Sequence, residues 1–179
     1  MHSVMSDKLL ANRLAALATA LDDAVHAETD GLSQSAVAAL QVVRQNGPTA
    51  IQDIARIIGL THSATVRLID RLEKDWLVRR LSRKGREVKV EATARGRRRA
   101  ATFQDKRLGT AEALIATLDA DERAVLTRAV DKMLAAAVHD AEQAECVCRD
   151  CDREACRSAG CPVASAAAAL PPAPPERKR

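Results

Sequence analysis

All five cysteines of the 179-residue chain fall between Cys146 and Cys161. They read Cys146-x-Cys148-x2-Cys151-x4-Cys156-x4-Cys161-Pro162. Thiolates are soft ligands that suit zinc, copper(I) or iron–sulfur clusters. Zinc sites commonly use two Cys-x2-Cys pairs on opposed knuckles. Here only Cys148 and Cys151 form such a pair, and wider gaps follow. Tight, asymmetric spacing that ends in Cys-Pro is closer to a cluster-binding loop, although no standard ferredoxin spacing is matched. Three chemistries therefore stay open: an iron–sulfur cluster, zinc, or metal-free redox thiols. Arg149, Arg153 and Arg157 are expected to lower the thiolate pKa values and so to favour any of them. An odd number of clustered cysteines argues against a disulfide scaffold and for a reducing compartment.

A second group of residues could bind a polyanion. Between Arg56 and Arg107 there are sixteen basic and six acidic residues, a net of +10 in a chain whose total is +4. A basic middle in an otherwise acidic chain is the electrostatic footprint of a nucleic acid partner. Aromatic residues are almost absent, with Trp76, Phe103 and no tyrosine, which argues against single-strand binding by base stacking. No Gly-rich phosphate loop, nucleophile elbow or Ser–His–Asp arrangement is present, and His2, His26, His62 and His139 are scattered. The chain does not read as an enzyme.

The elements that must position these groups follow from periodicity. Leu9, Leu10, Leu14, Leu17 and Leu21 predict an amphipathic helix over about residues 6–28. Ser33 caps a second helix carrying Val37, Leu40 and Val43, which Asn46-Gly47-Pro48 ends. Thr49 with Gln52 has the form of a capping box and opens a third helix. Gly59-Leu60-Thr61 makes a tight turn into a fourth helix, from about His62 to Lys74. Ala55 and Gly59 supply the small residue and the turn that a helix-turn-helix requires. On the fourth helix Val66, Ile69 and Leu72 share one face, and Ser63, Arg67, Asp70, Arg71 and Lys74 lie broadly opposite. Such a helix suits the major groove of double-stranded DNA. Ser63, Thr65, Arg67, Arg71 and Lys74 are its candidate contacts, while Asp70 and Glu73 are expected to pair with Arg71, Lys74 or neighbouring helices. A β-hairpin follows, and its tip carries Arg83, Lys84 and Arg86 for phosphate or minor-groove contact.

Two long helices come next, from about Ala94 to Leu118 and from a capping box at Asp119 and Glu122 to near Ala144. Residues 164–179 read as a disordered tail. The fold class is mainly α with a small β-hairpin wing. The boundaries are 1–30 for an N-terminal dimerisation helix, 31–92 for the winged helix-turn-helix, 93–145 for C-terminal dimerisation helices, 146–163 for the cysteine segment and 164–179 for the tail. One chain cannot bury the apolar faces of its first and last helices, so a homodimer is expected. No apolar stretch reaches the roughly 18 residues a membrane span needs, and no signal-peptide pattern is seen. A cytoplasmic protein without a membrane partner is expected.

The run Ile54-Ala55-Arg56-Ile57-Ile58-Gly59-Leu60-Thr61-His62-Ser63-Ala64-Thr65-Val66-Arg67-Leu68-Ile69-Asp70-Arg71-Leu72-Glu73-Lys74 resembles the MarR family of bacterial regulators. Leu77-Val78-Arg79-Arg80, the basic hairpin and Ala92-Thr93-Ala94-Arg95-Gly96 continue the match, and the resemblance spans about residues 5–145. It implies a triangular dimer that binds palindromic promoter DNA, usually as a repressor released by a ligand or by oxidation. Two features depart from the pattern. Trp76 stands where the family commonly has Gly, so that either the turn differs or the indole plugs a local pocket. The wing run Arg83-Lys84-Gly85-Arg86 lacks the family's Asp. Some MarR-like regulators carry a similar C-terminal cysteine segment, and that resemblance implies Cys148, Cys151, Cys156 and Cys161 as ligands, with Cys146 spare. Because the segment follows the last dimerisation helix, its chemistry is expected to act through that helix on the spacing of the two DNA-reading helices. A small-molecule effector acting beside a purely structural zinc is the alternative within this reading. A protein-interaction adaptor with a metal-binding module is the alternative outside it.

Overall fold

The computed structural model describes residues 2–26, 29, 31–81 and 87–170. In chain order the elements are α1 (His2–His26), α2 (Gln34–Asn46), β1 (Thr49–Ala50), α3 (Ile51–Ile58), α4 (His62–Lys74), β2 (Val78–Arg80), β3 (Lys89–Ala92), α5 (Ala94–Ile115), α6 (Ala120–Ala136), α7 (Ala141–Val147), α8 (Arg153–Ala159) and α9 (Pro162–Ala169). The three strands form one antiparallel sheet in the order β1-β3-β2. Thr49 pairs with Val90, and Val78 with Ala92.

The core lies where α2, α3 and α4 meet the sheet. Leu40, Val42, Val43, Ile54, Ile69, Leu72, Val78 and Val90 are all fully buried there. Each such aliphatic side chain contributes about 1.5–3 kcal/mol of burial free energy. Inside this apolar cluster the polar groups are paired. Buried Gln41 donates from Nε2 to the carbonyl of Ala100 (2.7 Å), which ties α2 to α5.

The helix ends follow side-chain chemistry at most points. Ser33 Oγ accepts from Ala36 N (3.2 Å) and starts α2. Asp119 and Glu122 form the reciprocal capping box that starts α6. The box expected at Thr49 and Gln52 does not form. Thr49 lies in β1, its hydroxyl donates to Gly47 O (2.9 Å), and α3 begins after Ala50 with no side-chain cap. Strand pairing with β3 holds Thr49 in extended backbone, away from the N-cap position.

Two expectations about the C-terminal third are corrected. The last long helix stops at Ala136 instead of running to near Ala144. Val138 turns into the interior, and Asp140 caps the separate helix α7 by accepting from Gln143 N (2.6 Å). Residues 164–169, read as the start of a disordered tail, belong to helix α9 (Pro162–Ala169), which packs on α6 with Val163 buried. Pro162 at its first turn and the alanine run both favour a helix. The rest of the expected tail, 171–179, lies outside the described residues, as does the hairpin tip 82–86.

On α1, Leu9, Leu10, Leu14 and Leu17 are exposed, and on α6 so are Val125, Leu126, Val130 and Met133. No residue of α6 is buried. No helix among the described residues is long and apolar enough to cross a membrane.

Gly96, in the first turn of α5, seats that helix on Leu77, just before β2. A Cβ added there would lie 1.9 Å from the carbonyl oxygen of Leu77. Gly109, also inside α5, faces open space. Urea denaturation of Gly96→Ala is therefore expected to show a loss of about 3 kcal/mol from overpacking. Gly109→Ala is expected to gain about 0.5–1 kcal/mol, because alanine costs less chain entropy in a helix.

Candidate nucleic-acid interface and thiol site

The reading helix α4 is set by its two ends. Gly59 takes a left-handed backbone (φ 70°), and Leu60 N donates back to Ala55 O (3.0 Å), which closes α3 and turns the chain. Thr61 Oγ1 then accepts from Ala64 N (3.2 Å) and opens α4. Leu68, Ile69 and Leu72 are buried. Ser63, Arg67, Arg71 and Lys74 are exposed together on the other side. They are the sequence candidates that the structure brings to one outward face.

Thr65 does not belong with them. It is fully buried, and its Oγ1 donates to Thr61 O (3.0 Å). The helical turn carries its side chain inward beside Leu68 and Ile69, so it holds the helix and offers DNA nothing. The wing candidates Arg83, Lys84 and Arg86 lie outside the described residues.

The acidic residues of α4 are neutralised from the wing. Arg80 on β2 pairs through Nη2 with Asp70 Oδ1 (2.6 Å) and through Nη1 with Glu73 Oε2, and its backbone N donates to Glu73 Oε1 (2.8 Å). Burial works against the Arg80 charge, but the hydrogen bonds it donates to Asp70 and Glu73 hold the pKa above its ordinary value. Arg79, one residue earlier, pairs across the hairpin with Glu91. Asp70 and Glu73 were expected to find Arg71, Lys74 or other helices. Because Arg80 takes them, Arg67, Arg71 and Lys74 make no ion pair among the described residues, and the outward face stays positive.

Trp76 keeps the turn that glycine makes in the resembling family. Its φ is 58°, and Leu77 N donates to Leu72 O (2.9 Å), the wide closing bond of a left-handed helix cap. The indole plugs no pocket, since Trp76 is 74% exposed.

The second site is built at the far end of the chain. Cys148, Cys151, Cys156 and Cys161 line one cavity of about 310 Å³ with Asn46, Glu145 and Arg153. Cys146 is not among its lining residues. Its Sγ faces Arg56 O (3.8 Å). The expectation that nearby arginines lower the thiol pKa values is overturned for two of the thiols. Burial, and then Cys151 and Cys161 nearby, push Cys148 up to about 12, and burial with the same neighbours also raises Cys156. Arg149 and Arg153 are engaged by oxygens: Arg149 donates to Cys146 O (2.7 Å) and Arg153 to Asn46 Oδ1 (2.5 Å), while the Arg157 side chain lies outside the described residues. The donor set fits a soft metal in type, as four thiols converge on one cavity. Among the described residues, however, no three His, Cys, Asp or Glu side chains are spaced as metal ligands are.

This segment is docked on the helix-turn-helix. Arg56 of α3 pairs with Glu145 (2.7 Å) and lies 4.0 Å from Glu142, both on α7. Gln45 at the end of α2 donates to Cys151 O (2.8 Å), and Gln104 and Arg107 of α5 donate to Asp150 O (3.0 and 2.9 Å). Gln45, Asn46, Arg56, Gln104 and Arg107 are the functional residues that sequence reasoning missed. Their partners lie 43 to 107 positions away, and no local spacing marks them.

A short helix and turn behind an exposed basic helix, followed by a two-stranded wing, define a winged helix-turn-helix DNA-binding protein. Residues 32–85 match the MarR family model. The matched stretch runs through α2, α3, α4 and β2, so it holds the helix-turn-helix and the start of the wing. The chain is similar to RV1404 from Mycobacterium tuberculosis, with 26% identity over 74% of this chain and 91% of that one at a TM-score of 0.60. It shares the fold of MepR, a transcription regulator of the Staphylococcus aureus multidrug efflux pump MepA, at 17% identity over 70% of this chain and 96% of that one (TM-score 0.63). It also shares the fold of the Mycobacterium tuberculosis MarR family protein RV2887, at 23% identity over 71% and 95% (TM-score 0.58). No match is found among curated proteins.

The thiol environment makes a prediction for the reduced, metal-free protein. An ordinary cysteine ionises near 9.0, whereas Cys148 stays protonated until about pH 12. Since alkylation follows the thiolate, the rate at Cys148 is expected to keep rising with pH between 9 and 12. A plateau just above pH 9, read by peptide mass spectrometry, would count against the burial of this thiol.

Proposed function

We propose that the protein is a homodimeric repressor of palindromic DNA whose affinity is set at its C-terminal thiols. The observation that carries this reading is the docking of the cysteine segment on α2, α3 and α5, with four thiols lining the cavity beneath it. A regulatory group placed there acts directly on the helix pair that presents α4. A path through the last dimerisation helix runs beside it, because α9, which Cys161 caps, packs on α6.

Arg67, Arg71 and Lys74 supply cations to the groove, and Ser63 supplies a hydroxyl near the start of α4. Arg83, Lys84 and Arg86 extend the contact from the wing. The exposed apolar stripes of α1 and α6 are the surfaces that a second copy covers. An iron–sulfur cluster or a zinc ion, held by Cys148, Cys151, Cys156 and Cys161, would cross-link α7, the following turn, α8 and the start of α9. The chain's own residues then carry the change to DNA. Arg56 holds α7 against α3, and Gln45 holds the Cys148–Cys151 turn against α2.

The deciding experiment is the absorbance spectrum with total iron and zinc on protein purified without oxygen. Visible bands with iron, or about one zinc per chain, are expected. Protein lacking both, with DNA affinity unchanged in Cys148→Ser/Cys151→Ser under reducing and oxidising conditions, defeats the thiol-switch reading and leaves the regulator intact.

Arg67→Ala and Arg71→Ala are each expected to weaken operator binding by about 1–3 kcal/mol, roughly five- to 150-fold. Thr65→Val is expected to lower stability by about 1 kcal/mol, through its lost hydrogen bond, with little effect on DNA contacts. Salt-controlled gel shifts and thermal melts separate the two outcomes.

A further inference from the structure

A cleft of about 530 Å³ lies between the start of α4 and the wing. His62 and Val66, one turn apart, line it from α4, and Arg80 and Val88 line it from the wing. Gln52 of α3 and Glu87 complete its polar lining. Ser63, Arg67, Arg71 and Lys74 face outward from α4, whereas His62 and Val66 face the wing across this cleft. His62 and Gln52 are exposed, and Val66 and Val88 are half-buried. The cleft thus has an apolar floor with polar groups above it.

Double-helical geometry states what crosses such a cleft. A helix in the major groove and a wing in the next minor groove are separated by one sugar–phosphate strand. That strand has to pass over the gap between the two elements. In the gap, the His62 imidazole and the Gln52 amide are donors. Arg80 is there too, but its guanidinium is held by Asp70 and Glu73. Glu87 is the carboxylate that lines the cleft, and α3 brings no charge to it. Histidine changes its charge between about pH 5 and 8. We propose that this cleft seats one phosphate of the DNA strand that separates the two grooves, with His62 and Gln52 as its donors, and that DNA binding takes up a proton at His62. The inference rests on the placement of α4 and the wing in neighbouring grooves. A phosphate favours imidazolium over imidazole. Glu87 also favours it and Arg80 disfavours it, but both act already in the free protein, so the uptake on binding comes from the phosphate. Protonated His62 therefore binds DNA more tightly than neutral His62, and affinity falls as pH rises.

The test uses the full-length chain and a duplex that it selects in vitro from a randomised pool. Affinity is read by fluorescence anisotropy at constant salt, from about pH 5.5 to about pH 8. It is expected to fall by about fivefold or more for the native chain across that range. His62→Gln keeps a donor but cannot titrate, and its affinity is expected to change by less than about twofold. His2, His26 and His139 remain in that variant, so a surviving pH dependence assigns the proton elsewhere. Gln52→Ala is expected to bind about two- to tenfold more weakly while keeping the native pH dependence. At the acid end, the slope of log affinity against log salt is expected to be shallower in His62→Gln by about one per half-site. Replacing phosphates singly by neutral methylphosphonate should find one position per half-site, between the two grooves, that removes the pH dependence. Native pH dependence in His62→Gln, or pH dependence that no single phosphate replacement removes, overturns the proposal. Arg67→Ala separates this inference from the groove placement. If Arg67→Ala weakens binding while His62→Gln titrates like the native chain, the phosphate seat fails alone. If Arg67→Ala binds as tightly as the native chain, the groove placement fails and the seat falls with it.

Discussion

Leu68, Ile69 and Leu72 are buried against α2 and α3, and that burial leaves Ser63, Arg67, Arg71 and Lys74 facing outward. Three buried aliphatic side chains, each contributing about 1.5–3 kcal/mol, hold α4 in one rotation about its axis. The left-handed Gly59 before the helix and the left-handed Trp76 after it limit how α4 can slide or tilt. The DNA-reading face is therefore a product of the core. A cavity under Ile69 would disturb the groove contacts before any arginine was changed.

Electrostatics then purifies that face. Asp70 and Glu73 would otherwise lie beside Arg67, Arg71 and Lys74 and offset them against a polyanion. Arg80 removes both, and it reaches them only because β2 returns alongside α4. The individual ion pairs are half-exposed and stabilise the fold only modestly. Their larger effect is on the sign of the surface potential presented to DNA.

The C-terminal segment is joined to the same helices by side chains. Arg56 meets Glu145, Gln45 meets the backbone of Cys151, and Gln104 and Arg107 meet the backbone of Asp150. The thiol segment is thus tied at two points to the helix-turn-helix and at a third to α5. Hydrogen bonds to a fixed backbone carbonyl are directional, so a shift of the turn is felt at α2 and α5 directly.

By itself the sequence determined the helical periodicities, the basic hairpin, the Gly59 turn, the caps at Ser33 and Asp119 and the grouping of five cysteines, because each of these is written in residues close along the chain. Those local signals also placed Ser63, Arg67, Arg71 and Lys74 on one face. Tertiary structure decided what depends on distant partners. Thr49 became a strand residue because β3 was there to pair with it, and Thr65 turned inward because the core claimed that side of α4. Asp70 and Glu73 found Arg80 and not their helical neighbours. Arg149 and Arg153 bonded to a carbonyl and an amide oxygen, and burial raised the thiol pKa of Cys148 where charge alone predicted a fall. The last helix broke at Ala136, and the alanine-rich tail folded back as α9, because Val138 and Val163 had an interior to enter. Local pattern states which side a residue prefers, and only the packed chain states what waits on that side.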